Sequence, residues 1–196
     1  MMDLALPWAG VNCFVTRSSS CEDLEEMREV YAVEKSLWLD PRRYLHFLRG
    51  RKLLHEVLQL RPPQKILRRE DGKPEQPVGY LVSVSHTETA TACLVARGTK
   101  FHAVGVDVVD EAEVAALAIP PGVTGLKLQG FGICQEIAVF EAAVKVFGRN
   151  LNSELITVGA ADATNVHRLC YKEKEASFYL CQQSGLTIGC AVRLTP

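Results

Sequence analysis

Apolar residues recur along this chain in two rhythms, one helical and one of short strand-like runs. From Pro41 to Leu60, residues Tyr44, Phe47, Leu48, Leu53, Leu54, Val57 and Leu58 keep a helical spacing. Asp40-Pro41 sets a capping side chain ahead of a proline at the first helical position, and Pro62-Pro63 closes the helix. Further helices are expected over Glu22–Val33 and over Cys134–Phe147, the latter stopped by Gly148. Strands are expected over residues 9–17, Val78–Val84, Thr89–Ala96 and Ala103–Val109 in the first part of the chain. Ile156–Val158, Arg168–Lys172, Ser177–Gln182 and Leu186–Leu194 follow in the second. The polar stretch Arg68–Pro77, with Asp71-Gly72 as its turn signal, reads as an exposed loop. Residues 111–132 hold Pro120-Pro121-Gly122 and read as an irregular flap.

A strand, a helix and more strands, followed by the same order again, is a weak internal duplication without a sequence repeat. The expected class is α+β. Composition agrees with a globular chain: 196 residues, 47% apolar and 23% charged. A net charge of −1 gives no reason to expect a nucleic-acid partner. Locally the picture differs, because Arg42, Arg43, Arg49, Arg51 and Lys52 crowd one helix. The seven cysteines are odd in number and lack CxxC pairs, which suggests free thiols in a reducing compartment. The opening MMDLALPWAGVNCFV has no basic start and no long apolar run, and nowhere is there a stretch of about 20 apolar residues. A cytoplasmic protein with no membrane partner is expected.

Five groups of residues could carry chemistry. Asp107 lies in the apolar run Val-Gly-Val-Asp-Val-Val, where a carboxylate needs a turn to cap, an arginine to pair with, or a metal ion. Glu141 and Lys145 are four apart on one helical face, which suits either a surface ion pair or a site shared with Asp107. In the second case the two carboxylates form an oxygen-rich site for a hard cation, and Lys145 neutralises the same phosphate. Ser85-His86 follows a strand, Arg43, Arg49 and Arg51 lie on the basic helix, and Asp71-Gly72-Lys73-Pro74 forms a turn. Taken singly, each has a plain structural explanation.

Their order along the chain is more specific. From about residue 40 onward it resembles the 4′-phosphopantetheinyl transferase superfamily. Phe47, Gly50 and Arg51 are similar to the family's F-x-x-G-R helix, and Gly72-Lys73-Pro74 to its G-[KR]-P loop. Ser83-Val-Ser-His-Thr87 resembles S-x-S-H-[ST], and Val104-Gly-Val-Asp107 resembles V-G-[IV]-D. Glu141-Ala-Ala-Val-Lys145-Val-Phe-Gly148 is similar to the tail of K-E-A-x-x-K-A-x-G.

The resemblance implies two similar α+β halves forming a pseudo-dimer, each with a small antiparallel sheet and a packed helix. Coenzyme A would lie in the cleft between residues 1–100 and 101–196, and the chain would act as a monomer. Magnesium (manganese being possible) would be held by Asp107 and Glu141 and bridge the pyrophosphate of coenzyme A. A serine of an acyl or peptidyl carrier protein, deprotonated with help from Glu141 or a metal-bound water, would attack the β-phosphate. Lys145 would stabilise the developing charge, and 3′,5′-ADP would leave. Arg43, Arg51, Lys73, Pro74, Ser85, His86 and Lys145 would bind coenzyme A, with His86 near the 3′-phosphate.

The chain departs from the pattern in places. Val109 stands where many relatives of this size have a second acidic ligand, Phe140 where the signature has lysine, and Ile137 where an aromatic is usual. Glu136 remains as a fallback ligand. These departures motivate an alternative function, a catalytically degenerate module that binds coenzyme A or a carrier protein.

Overall fold

The computed structural model describes residues 1–18, 24–37, 40–69, 73–118, 126, 130–148 and 150–195. It is an α+β protein with two antiparallel sheets and few helices. The first sheet has the order β1-β2-β4-β3, from β1 (Met2–Leu4), β2 (Val11–Arg17), β3 (Tyr80–His86) and β4 (Ala90–Arg97). The second has the order β5-β9-β8-β7-β6. Its strands are β5 (Phe101–Asp110), β6 (Ile156–Ala161), β7 (Val166–Tyr171), β8 (Lys174–Gln183) and β9 (Leu186–Leu194). A tight turn at Ser184-Gly185, with φ of 53° and 75°, joins β8 to β9.

Period-two patterning decides which faces meet. Val11, Cys13 and Val15 of β2 and Ala92, Leu94 and Ala96 of β4 share one buried cluster with Val104, Val106 and Val108 of β5. Leu186, Ile188, Cys190 and Val192 of β9 complete it, so the two sheets bury one face against each other. The intervening residues of β4, Cys93 and Val95, pack beneath α2 (Pro41–Leu58) with Leu53 and Leu54. Being covered on both faces explains why β4 reads as a continuous apolar run. On the far face of the second sheet, α4 (Ile133–Phe147) packs Val139, Ala142, Ala143 and Val146 against Leu169 and Phe178. There Gly189 keeps β9 close to the helix, since an added Cβ would lie 2.9 Å from the Ala138 carbonyl oxygen. The short α1 (Glu25–Val30) packs Met27 against Leu48 of α2.

Several boundaries differ from the expected ones. The helix expected over Glu22–Val33 is confined to α1, followed by a 3-10 turn at Val33–Leu37, while residues 22 and 23 lie outside the described residues. The second helix ends at Leu58, because Gln59 adopts left-handed geometry (φ 54°) and turns the chain out of the helix. The strand expected to stop at Val84 continues through Ser85 and His86, which pair with Ala92 and Thr91 of β4. β1 is too short to show a pattern in the sequence and is held by pairing with β2. The start of the expected flap is a helix, α3 (Glu111–Ala116), because the Asp110 side chain accepts from the Ala112 and Glu113 amides. The rest of that flap lies mainly outside the described residues, as does the Asp71-Gly72 turn. Six cysteines are free, and Cys21 is outside the described residues. Among the described residues no helix is long and apolar enough to cross a membrane.

Candidate functional site

β3 and β5 belong to different sheets, so no strand ladder sets their relative position. Two serines do so instead. Ser83 and Ser85 stand two apart and therefore on one face of β3. The Ser83 Oγ accepts a hydrogen bond from the Val106 amide at 3.1 Å, and the Ser85 Oγ donates to Asp107 Oδ1 at 2.6 Å. From the α4 side, Lys145 Nζ donates to the same Oδ1 at 2.9 Å and to the Val106 carbonyl at 2.6 Å. The buried carboxylate thus has a lysine and a hydroxyl as partners, rather than a turn to cap or an arginine. That pairing offsets the cost of burying Asp107.

Glu141 lies one helical turn before Lys145. Its carboxyl is pushed above the usual glutamate range, first by burial and then by the charge of Asp107, with Lys145 opposing. Two carboxylates close enough to repel are an oxygen-only donor set that a hard cation would relieve. Among the described residues no three His, Cys, Asp or Glu side chains converge as a possible metal site. The pair therefore does not suit a cation enclosed wholly by protein. It fits magnesium, which takes one or two carboxylates and fills its other positions with water and phosphate.

A cavity of about 650 Å³ opens beside this pair. Its walls come from α2, the segment after residue 67, β3, the start of β5, and α4. Glu141 and Lys145 line it, together with Arg43, Arg51, Lys73, Pro74 and His86. Asp107 and Ser85 do not, although Lys145 joins Asp107 to that wall.

The cationic residues are held in different ways. Arg51 is buried, its guanidinium 4.6 Å from the centre of the Phe47 ring and donating to the Leu67 carbonyl at 3.2 Å. Burial is the main cause of its pKa falling to about 10, which leaves it charged at neutral pH. Lys73 Nζ donates to the Lys145 carbonyl at 3.0 Å, joining the loop to α4. Gln76 braces that loop, accepting from the Val82 amide at 2.6 Å and donating to the Pro74 carbonyl at 3.0 Å. Arg43 is the most open, with an ion pair of 3.9 Å to Asp40.

His86 ends β3 with its ring 4.4 Å from that of His46, which in turn lies 3.6 Å from a Glu88 carboxylate oxygen. Burial, then the charges of His46, Lys145 and Arg49, push the His86 pKa down to about 4. The residue still opens partly to solvent. At neutral pH the ring is uncharged.

Nearly every expected site residue therefore reaches one neighbourhood. Ser85 and Asp107 are the exceptions in kind, bonded to each other rather than lining the cavity. Glu136 lies on another side of α4, since five residues turn an ideal helix about 140° away from Glu141. Val109 packs in a small apolar cluster with Val114 and Ala138. Arg68, Arg69, Gln76 and His102 also line the cavity. Nothing in their spacing distinguished them, although Arg68, Arg69 and Gln76 fall within the expected loop. That Ser83 and Ser85 share a face was not legible, because the expected strand stopped at Val84.

No family model matches this sequence, and no curated protein matches it.

Proposed function

We propose that this protein is a magnesium-dependent 4′-phosphopantetheinyl transferase. It moves the phosphopantetheine arm of coenzyme A to a serine of an acyl or peptidyl carrier protein and releases 3′,5′-ADP. The observation that carries the reading is the gathering, in one cavity, of Arg43, Arg51, Lys73, His86, Lys145 and Glu141, with Asp107 joined to Lys145. Such a wall suits a ligand with several phosphates, and the carboxylate pair suits the cation that accompanies a diphosphate. In this reading residues 1–100 and 101–196 are two similar halves of a pseudo-dimer with the ligand cleft between them. The chain works as a cytoplasmic monomer.

Each residue then has a task. Arg43, Arg51 and Lys73 neutralise phosphate oxygens and orient the nucleotide end, while neutral His86 exchanges a hydrogen bond there. Asp107 and Glu141 hold magnesium, which when bound draws charge from the diphosphate and polarises the phosphorus under attack. Glu141 takes the proton of the carrier serine at a carboxylate oxygen. The serine oxygen forms a bond to phosphorus as the bond to the departing 3′,5′-ADP breaks. Lys145 lies where that charge develops.

A test is to incubate the protein with magnesium, coenzyme A and a panel of apo-carrier proteins and weigh the products intact. A mass gain equal to phosphopantetheine on at least one carrier is expected. Asp107→Ala and Glu141→Ala should abolish it while the protein stays folded. No gain on any carrier would refute the reading.

A second reading has the apolar setting of Val109 on its side, since no second acidic ligand follows Asp107. In that case the protein is a module that binds coenzyme A or a carrier without transfer. Coenzyme A affinity that ignores magnesium, without turnover, would favour it.

A further inference from the structure

We propose that Ser85 is a positioning residue for the cation site: its hydroxyl fixes Asp107 so that one carboxylate oxygen faces the cation, and it makes no contact with the nucleotide. The inference rests on the two-carboxylate reading above and departs from the nucleotide-binding role that the sequence resemblance implies for this serine. Three observations carry it.

Ser85 is 7% exposed and does not line the cavity, although Ser83, Val84 and His86 on either side of it do. A serine hydroxyl has one proton to donate, and this one is given to Asp107 Oδ1 at 2.6 Å. The same Oδ1 accepts from Lys145, and among the described residues no donor is recorded on Oδ2. Two donors on one oxygen hold the carboxylate in a single orientation, with the lone pairs of the other left for a cation.

Ser83 explains why Ser85 arrives opposite Asp107. By accepting from the Val106 amide, it sets the register between two strands that share no ladder. The unit Ser83-Val84-Ser85 thereby clips one sheet to the metal-bearing strand of the other. Hydrogen bonds from such outer residues orient metal ligands, and losing one costs roughly 10–100-fold in metal affinity.

The experiment titrates manganese into the wild-type protein and into Ser85→Ala, Ser85→Cys and Ser85→Thr, following free manganese by electron paramagnetic resonance. Coenzyme A affinity is measured separately by calorimetry in excess chelator. Ser85→Ala should bind manganese roughly tenfold more weakly, with coenzyme A affinity in chelator unchanged. Ser85→Cys keeps a side chain of similar size with a poor donor, and covers the case in which the alanine variant does not fold. It should also weaken manganese binding, whereas Ser85→Thr restores it. In turnover, the magnesium concentration for half-maximal rate should rise while the KM for coenzyme A holds. Unchanged manganese affinity in the alanine and cysteine variants would overturn the inference and leave the transferase reading standing. So would a loss confined to coenzyme A binding in chelator. Wild-type protein that takes up no manganese would overturn the two-carboxylate site itself, and this inference with it.

Discussion

Gly105 of β5 lies so close to Ala142 of α4 that a Cβ built on the glycine would stand 2.6 Å from the Ala142 carbonyl oxygen. The same Cβ would meet the Lys145 Cβ at 3.0 Å. Only a residue without a side chain lets strand and helix approach this closely, and the approach brings Lys145 within hydrogen-bonding reach of Asp107. Gly105→Ala should therefore push the two elements apart at a cost of about 1–3 kcal/mol, as overpacking in a dense core does. Thermal unfolding measures the loss. Manganese affinity should fall with it, and a variant as stable as the parent with unchanged affinity would contradict the argument.

Lys145 places a positive charge where a cation bound by Asp107 would feel it. Lys145→Met keeps much of the stem's bulk and removes that charge. Relief of the charge repulsion outweighs the loss of one of the two donors on Asp107 Oδ1, so manganese should bind several-fold more tightly to the variant in the absence of coenzyme A, while transfer is lost. Electron paramagnetic resonance and intact-mass assays separate the two effects, and weaker manganese binding would count against the placement of the site.

Glu141 gives a pH prediction for the metal-free protein. Its folded pKa is raised above the ordinary glutamate value by burial and then by the Asp107 charge, so folding favours the protonated acid. That contribution is complete below the unfolded pKa and is lost as pH rises through the folded one. Glu141→Gln removes the ionising group, and in chelator at neutral pH it should be more stable than the wild type while unable to transfer. Urea unfolding across the acid range checks both the sign and the flatter profile.

His86 has the opposite sign. Its folded pKa, about 4 against 6.5 when unperturbed, means that the unfolded chain binds the extra proton between those values. Stability should rise with pH across that window, and the His86 contribution should be flat below it. His86→Gln should flatten the rise. A direct check is the imidazole titration by NMR, expected to stay neutral down to about pH 5; a midpoint near 6.5 would refute both the burial and the charged neighbours described for it.

Tyr31 tests the scaffold apart from the chemistry. Its buried hydroxyl meets His55 Nε2 at 3.0 Å and accepts from the Ile66 amide at 2.9 Å, linking the end of α1 to α2 and the chain beyond it. Tyr31→Phe strands a buried amide, at a cost of about 1–3 kcal/mol. Denaturant unfolding should show that loss while transfer persists; a loss of transfer without one of stability would point to a second role for the ring.

The sequence by itself determined the elements whose cause is local. α2 is legible because Asp40 caps it and its apolar spacing is regular, and α4 because its apolar face ends at Gly148. The α+β class followed from these and from the strand runs. Asp107 marked itself as a carboxylate in an apolar strand, and the spacing of Glu141 and Lys145 put them on one helical face. Local pattern did not show the extension of β3 through His86, because a polar Ser-His pair looks like a turn until β4 is present to pair with it. Nor did it show α3, which begins where the Asp110 carboxylate finds two amides.

What only the tertiary structure decided is which partner each charged group has. Lys145 turns to Asp107, and Ser85 faces the carboxylate instead of the cavity. Gln76, His46 and His102 join the neighbourhood with no mark in the sequence to announce them. The reason is physical: hydrophobic period and capping act within a few residues, whereas a buried charge is satisfied by whatever packing brings alongside it. Here that packing sets β3 of one sheet beside β5 of the other, with α4 resting on β5.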